Sequence, residues 1–290
     1  MSSEITTSFV EQYSSNVAML AQQMGSRLRA AVDVETITGK NAFFDQVGVT
    51  AAVQRTSRHA DTPQIDTPHS RRRVSLADYE WADLIDDQDK VRMLIDPTSS
   101  YAKAAAAAMG RSMDDVIIAA LGGSADTGET GSTAVALPST SKFATGQQSD
   151  GLTIAKLIAA KKFFDLNDVD PSIPRFIVAG ATQMSDLLGT TQVTSSDFNT
   201  VKALVAGDVD TFMGFKFIMS NRLGLDATNT DDRKIFAFTQ DAIKLGVGKD
   251  ITAKIDVRAD KSYATQVYTC MSIGAVRMEE KKVFQIPCDE

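Results

Sequence analysis

YAKAAAAAMGRSMDDVIIAAL, residues 101–121, is the stretch on which the fold turns. Alanine is the best helix former, and Asp96-Pro97-Thr98-Ser99 just upstream supplies a start signal. The stretch therefore predicts the longest helix of the chain. Its alanine row makes one side narrow and smooth, suited to close packing, and Gly122 and Gly123 stop it as C-terminal caps.

The segment at this stop, GGSADTGETG (122–131), resembles a nucleotide-binding loop. From Gly123 to Thr130 it reads G-x-x-x-x-G-E-T, with Glu129 in the place of the P-loop lysine. In a true P-loop a buried strand leads into the loop and a helix begins at its end, so that amide groups and the helix dipole face the phosphates. Here the loop leaves the negative end of a helix, and GSTAVALP (131–138) offers no subsequent helix. Glu129 also turns an attraction into a repulsion, each about 4 kcal/mol for a unit pair at contact in an effective dielectric of 20. Phosphate binding is not expected here, and Ser124 to Asp150, rich in Gly, Ser and Thr, reads as an exposed, mobile loop.

Upstream of the helix, Phe9, Tyr13, Val17, Leu20 and Met24 share one stripe of a helix ending near Gly25. Such a stripe packs on its own domain or serves as a docking arm for another subunit. Phe43 to Thr56 and Arg71 to Trp81 favour extended structure, and the prolines of RHADTPQIDTPH (58–69) keep their connection out of any helix. They read as a long two-stranded arm. Isolated hairpins are marginal, so an arm of this length needs something to lie against.

Downstream, GLTIAKLIAAKKFFDL (151–166) predicts a helix, PRFIVAG (174–180) a buried strand and ATQMSDLLGT (181–190) a short helix, with SSDFNTVKALVAG (195–207) continuing the alternation. The last third is a succession of strands separated by short turns. The fold class is α+β, without tandem repeats.

At 290 residues with 43% hydrophobic and 23% charged residues, the composition is that of a globular protein. A net charge of -7 argues against a protein whose main work is gripping nucleic acid. No basic leader precedes an apolar run, and no stretch approaches the roughly 18 apolar residues needed to span a bilayer, so no membrane partner is expected. Cys270 and Cys288 are too few for a disulfide framework or a zinc site.

The usual chemistries fail in turn. DLNDVD (165–170) resembles half a calcium loop, but Val169, Asp170 and Phe176 stand where a ligand, a glycine and the closing glutamate belong. Asp86 with Asp87 and Asp114 with Asp115 are sequence neighbours, which on a helix point about 100° apart and form no cooperating acid/base pair. His59 and His69 flank the proline-containing tip of the arm, and no G-x-S-x-G elbow exists. No cofactor, metal or catalytic residue is expected.

Charge separates sharply around the arm. Arg55, Arg58, Arg71, Arg72 and Arg73 lie on it, and Asp78, Glu80, Asp83, Asp86, Asp87 and Asp89 come directly after. The arginines could contact nucleic acid, or belong to a solvated arm with scattered local pairs. A third reading fits better: the basic arm of one copy lies on the acidic region of a neighbour and sets the register of a lattice.

The order of elements (N-terminal arm, extended hairpin, one long helix with its loop, α/β region, terminal strands) resembles the major capsid proteins of tailed bacteriophages, which share the Hong Kong 97 capsid fold. IDPTSSYAKAAAAAMGRSMDDVIIAAL, GDVDTFMGFKFIMSNRL and YTCMSIGAVRMEEKKVFQI carry the resemblance. It implies an N-arm over 1–40, an E-loop over 41–85, a P-domain with spine helix over 86–165, an A-domain over 166–250 and strands returning to the P-domain over 251–290. It also implies a non-enzymatic subunit that self-assembles through hexamers and pentamers into an icosahedral shell around phage double-stranded DNA. The implied location is the virion capsid, assembled in the host bacterial cytoplasm. Partners would be a scaffolding protein, a decoration or cement protein, the portal, and packaged DNA without sequence specificity. An encapsulin-like nanocompartment shell is the alternative within the same fold; a degenerate P-loop enzyme is a more remote one.

Two features depart from some members of that family. No lysine occurs between Lys40 and Lys90, so cross-linking through an E-loop lysine is not expected. The N-arm begins almost at Met1, so a separate scaffolding protein is expected rather than a cleaved scaffolding segment.

Overall fold

Helix α1 runs from Thr98 to Gly122 and organises the molecule. The computed structural model describes residues 20–59, 61–86, 98–143, 150–189, 211–226 and 232–290. Ala105, Met109, Met113, Ile117 and Leu121 recur every fourth residue on α1 and are all buried, which is the helical stripe expected of an amphipathic packing face. Beneath this stripe lies a four-stranded sheet in the order β1 (Asp33–Thr36), β11 (Ile243–Arg258), β12 (Ala264–Arg277), β4 (Ala77–Ile85). Val267, Met271 and Ile273 alternate along β12 on the buried face, as a half-buried strand requires.

A second, five-stranded sheet has the order β13 (Val283–Asp289), β10 (Asp232–Thr239), β7 (Arg175–Ala179), β9 (Phe215–Met219), β8 (Thr211–Phe212). All five residues of β7 are buried, consistent with its place at the centre of this sheet. Helices α2 (Ile154–Leu166) and α3 (Ala181–Gly189) accompany this sheet. One continuous apolar core joins α1 and both sheets; within it Phe164 packs on Phe215 and Phe176 on Phe238, ring against ring. Burial of these large side chains supplies most of the driving force for the fold, at roughly 1.5–3 kcal/mol for a fully buried Phe or Leu.

The third sheet, in the order β2 (Asn41–Val47), β3 (His69–Ser75), β5 (Ala125–Thr127), β6 (Thr133–Val135), forms the root of the arm. A smaller cluster of Ile37, Val74, Ala125, Val276 and Met278 sits under it. The mixed α+β class agrees with the expectation, and several boundaries differ.

Arg71 to Trp81 is two strands in two sheets, broken at Leu76, whose amide donates to the Lys40 carbonyl at 3.0 Å. The break falls where the chain crosses β12: a Cβ on Gly274 would stand 2.2 Å from the Ser75 carbonyl oxygen, so only glycine permits the crossing. The first expected strand, Phe43 to Thr56, ends at Val47. The segment from Ser124 onward is not simply an exposed loop. Strands β5 and β6 make it a hairpin paired to β3, and Ala125, Leu137 and Ser141 are buried; residues 144–149 lie outside the described residues.

Strand β13 joins the five-stranded sheet, whereas β11 and β12 lie under α1. Of the predicted N-terminal helix, Phe9, Tyr13 and Val17 lie outside the described residues, and the described part from Leu20 to Gly25 is not helical. SSDFNTVKALVAG also lies outside them.

Candidate assembly surfaces

The arm is a short paired root carrying a long unpaired tip. β2 and β3 pair antiparallel from Asn41↔Ser75 to Val47↔His69, and the Gly48 amide donates to the Pro68 carbonyl at 2.8 Å. Beyond that bond the described residues of 49–67 belong to no strand and are exposed. Val49 is 95% exposed and Val53 60%, with Ile65 exposed beside them. Arg55 and Arg58 are exposed too, and Arg55 Nε reaches only the carbonyl of Ser57, at 2.8 Å. Val49, Val53 and Ile65 thus belong to neither apolar cluster of the described residues.

At the root the three consecutive arginines alternate in direction, as side chains on a strand must. Arg71 and Arg73 point outward: Arg71 Nε bonds Asp45 Oδ1 at 3.0 Å with its guanidinium 5.5 Å from the Phe43 ring centroid, and Arg73 bonds Asp126 at 2.6 Å. Arg72 points inward and is buried, bonding both Glu280 carboxylate oxygens at 2.8 and 2.9 Å and the Met278 carbonyl at 3.0 Å. All three are thus engaged within the subunit, while Arg55 and Arg58 face outward on the tip.

Asp78, Glu80 and Asp83 fall on β4, an edge strand of the α1 sheet. Asp78 and Glu80 stand on its exposed face, Asp78 accepting from Ser272 Oγ and Glu80 from the Tyr268 hydroxyl at 2.9 Å. Asp83 is half-buried, with its carboxylate bonded to the amide of Leu84 at 2.8 Å, and Asp86 is exposed. Asp87 lies outside the described residues. On the N-terminal side Leu20 is 88% and Met24 61% exposed.

The P-loop-like stretch is a structural joint. The C-terminal carbonyls of α1 are collected by Arg277, which is fully buried: Nη1 donates to Leu121 at 3.1 Å and to Gly123 at 2.6 Å, and Nη2 to Val135 at 3.0 Å. A cation at the negative end of a helix satisfies both its orphan carbonyls and its dipole. Desolvation lowers the pKa of Arg277 from its ordinary value, opposed by the charge of Glu280. Glu280 also serves Arg72, so one carboxylate joins the arm root to the end of α1. Glu129 is exposed, at the turn of the hairpin. A cleft of about 610 Å³ between arm root and hairpin is lined by Asp45, His69, Arg71, Thr127, Glu129 and Thr133, a mixed-charge set.

Among the described residues no group of three or more His, Cys, Asp or Glu could hold a metal ion, and no helix is long and apolar enough to cross a membrane. Cys288 is buried and its thiol pushed up to about 12 by desolvation. Cys270 is half-buried, and the Lys249 ammonium 3.1 Å away lowers its pKa.

Sequence reasoning misses Asp114, Arg277 and Glu280 as structural centres. Asp114 could be found by its place one residue after Met113 on the buried side of α1, where a carboxylate needs partners. Nothing local marks Arg277 or Glu280.

The family model for phage capsid proteins matches residues 5–290. The chain belongs to the phage capsid protein family. The fold is the Hong Kong 97-like capsid fold, and known capsid structures match it end to end. The capsid of Ralstonia phage GP4 superposes with a TM-score of 0.76 at 10% identity, covering 97% of this chain and 95% of that one. The capsid of cyanophage P-SCSP1u gives 0.74 at 15% identity, covering 100% and 96%, and Mycobacterium phage Che8 gives 0.73 at 17%, covering 96% and 97%. No curated protein matches the sequence. This capsid protein is a structural subunit of a phage shell: α1 is its spine helix and the β2–β3 arm its E-loop.

Proposed function

We propose that the subunit assembles through hexamers and pentamers into an icosahedral shell around phage double-stranded DNA, each E-loop tip lying on a neighbouring copy. The observation that carries this is the tip itself: from Val49 to Thr67 every described residue is exposed, apolar ones included. Arg55 and Arg58 supply positive charge at the tip, and Asp78, Glu80, Asp83 and Asp86, with Asp87 beyond the described residues, supply the complementary charge along the neighbour's outer strand. The outward pairs of Arg71 and Arg73 border this contact, and Arg72 holds the arm root beneath it. Leu20 and Met24, exposed on a non-helical stretch, dock the N-arm on a second neighbour, together with Phe9, Tyr13 and Val17 outside the described residues. Charge complementarity of this kind sets register and suppresses wrong partners more than it adds affinity.

Contacts through such arms are individually weak and accumulate over a closed shell, which leaves room for error correction. A separate scaffolding protein would set curvature during assembly in the host cytoplasm, with the portal at one vertex and a decoration or cement protein reinforcing a shell without E-loop lysine cross-links. Net charge of -7 keeps the subunit from sticking to the DNA it encloses, which it contacts without sequence specificity. The subunit catalyses no reaction in this reading. The boundaries 1–40, 41–85, 86–165, 166–250 and 251–290 serve as working divisions, with β13 transferred to the A-domain sheet.

Electron microscopy of the purified protein, alone and with the scaffolding gene product, tests the reading. Closed shells or capsomers are expected; a protein that stays monomeric under assembly conditions and turns over a substrate would overturn it.

A further inference from the structure

We infer that Asp114, in the middle of the spine helix, is the positioning residue of the N-terminal arm: a buried carboxylate that latches residues 23–28 across the helix and so fixes the direction in which the arm leaves the subunit. The inference rests on the assembly reading for its consequence and on geometry for its substance. Asp114 is fully buried, a costly place for a charge unless its lone pairs are used. They are all used. Oδ1 accepts from Ser26 Oγ and from the Leu28 amide at 3.1 Å, and Oδ2 accepts from Gln23 Nε2 and from the Arg27 amide at 3.1 Å. Four donors meet the roughly four lone-pair sites of an ionised carboxylate.

Every one of those donors comes from the strap. Around them the strap is held at other points: Arg111 Nη1 donates to Gln22 Oε1 at 3.0 Å and to the Gln23 carbonyl at 3.1 Å, and Arg27 Nη1 donates to the Met219 carbonyl at 2.7 Å. The strap also touches the helix backbone itself. A Cβ on Gly110 would stand 2.4 Å from the carbonyl carbon of Gly25, and Gly25 has a left-handed φ of +76°. Glycine at both positions lets the chain turn while pressed against the helix. At the end of the strap Leu28 is fully buried, whereas Leu20, ahead of the strap, is exposed. Asp114 thus marks the boundary between fixed chain and docking arm. On the next residue of the same turn Asp115 pairs with Arg222 near the five-stranded sheet, so this part of the spine helix also ties that sheet in place.

Trypsin reads the latch directly, because the Arg27–Leu28 bond it would cut has the Leu28 amide as its nitrogen, and that amide and the preceding one of Arg27 both donate to Asp114, while Arg58 on the exposed E-loop tip serves as an internal control. The unassembled subunit, its Asp114→Ala variant and a Gln23→Ala/Ser26→Ala double variant are compared for the ratio of cleavage after Arg27 to cleavage after Arg58, and for shell yield with scaffolding protein. For Asp114→Ala the ratio is expected to rise at least about tenfold, the change that ~1.4 kcal/mol makes in an opening equilibrium. Shell yield is expected to fall with it. The double variant keeps Asp114 and is expected to move both readouts the same way, which decides the matter if Asp114→Ala does not fold. An unchanged ratio, or an equal rise at both sites, overturns the latch; an opened latch with full shell yield overturns its role in assembly. Absence of shells from the wild-type protein would count against the assembly reading alone, since the cleavage ratio still tests the latch.

Discussion

Arg277 Nη1 lies 2.6 Å from the carbonyl oxygen of Gly123, 154 residues earlier in the chain, and this bond closes the C-terminal end of the spine helix. The same guanidinium holds Val135 of the adjoining hairpin and faces Glu280, which in turn holds Arg72 of the E-loop root. Arg277→Met would keep the volume and strand three carbonyls together with a half-paired Glu280. A loss of about 3 kcal/mol in subunit stability is expected, within the range for broken buried networks, measured by urea unfolding of the unassembled chain. Arg277→Lys should recover part of it, because a lysine keeps the charge at the helix end but cannot fork to both segments.

The arginines of the arm should separate into two classes. Arg72→Glu places a second acid beside Glu280 in a buried site and should cost about 3–5 kcal/mol, so that the subunit fails to fold or becomes thermally fragile. Arg55→Glu with Arg58→Glu should leave unfolding within about 0.5 kcal/mol of wild type, as exposed substitutions do, while lowering shell yield. Calorimetry and electron microscopy on the same preparations check both. A simultaneous reversal of Arg71, Arg72 and Arg73 would confuse folding with assembly, because Arg72 is structural.

Thiol labelling should be ordered. Lys249 favours the thiolate of Cys270, while burial pushes the Cys288 thiol up to about 12. At a pH of about 8 a maleimide should modify Cys270 and leave Cys288 untouched until the chain unfolds, as mass spectrometry of the labelled peptides would show. Lys249→Met should slow the labelling of Cys270 by reducing its thiolate fraction.

Acid should act on the pair that anchors the chain after the strap. Arg29 bonds both oxygens of Asp250, at 3.0 and 2.7 Å, and this hydrogen bonding holds the Asp250 carboxyl below its usual range. A depressed carboxyl contributes stability above its unfolded pKa, near about 3.9, and loses it as pH falls through the folded value. Both groups are well exposed, so the effect is small, within about 1 kcal/mol. Asp250→Asn should therefore flatten the fall of stability below about pH 4 and leave the slope at roughly pH 6–8 unchanged, measured by thermal melts across the range.

Much of this architecture is legible in the sequence because its causes are local. The spine helix announces itself through its alanine row and the Gly122-Gly123 stop, and β7 through the apolar run Phe176-Ile177-Val178-Ala179. The exposed E-loop comes from its prolines and the want of a core. The features that escape a sequence reading have distant causes. The β5–β6 hairpin consists of strands of three residues each, and its order comes from Arg73, the Arg71 carbonyl and Arg277, all remote in sequence. The break at Leu76 is dictated by Gly274 and Lys40 in neighbouring segments. Arg71 to Arg73 read as one basic patch, but strand alternation sends Arg72 inward, and its acid partner lies 208 residues away. Asp114 escapes for the same reason: its four donors come from the strap, 86 to 91 residues upstream.

Hydrogen exchange of residues 49–67, compared between unassembled subunits and closed shells, tests the central claim most directly. The described residues of the tip have no strand partner within their own subunit, so their amides should exchange at close to the unprotected rate when the subunit is free. In the shell, where a neighbour covers them, exchange should be at least about tenfold slower. Equal exchange in the two states would contradict an E-loop that works by lying on the next copy.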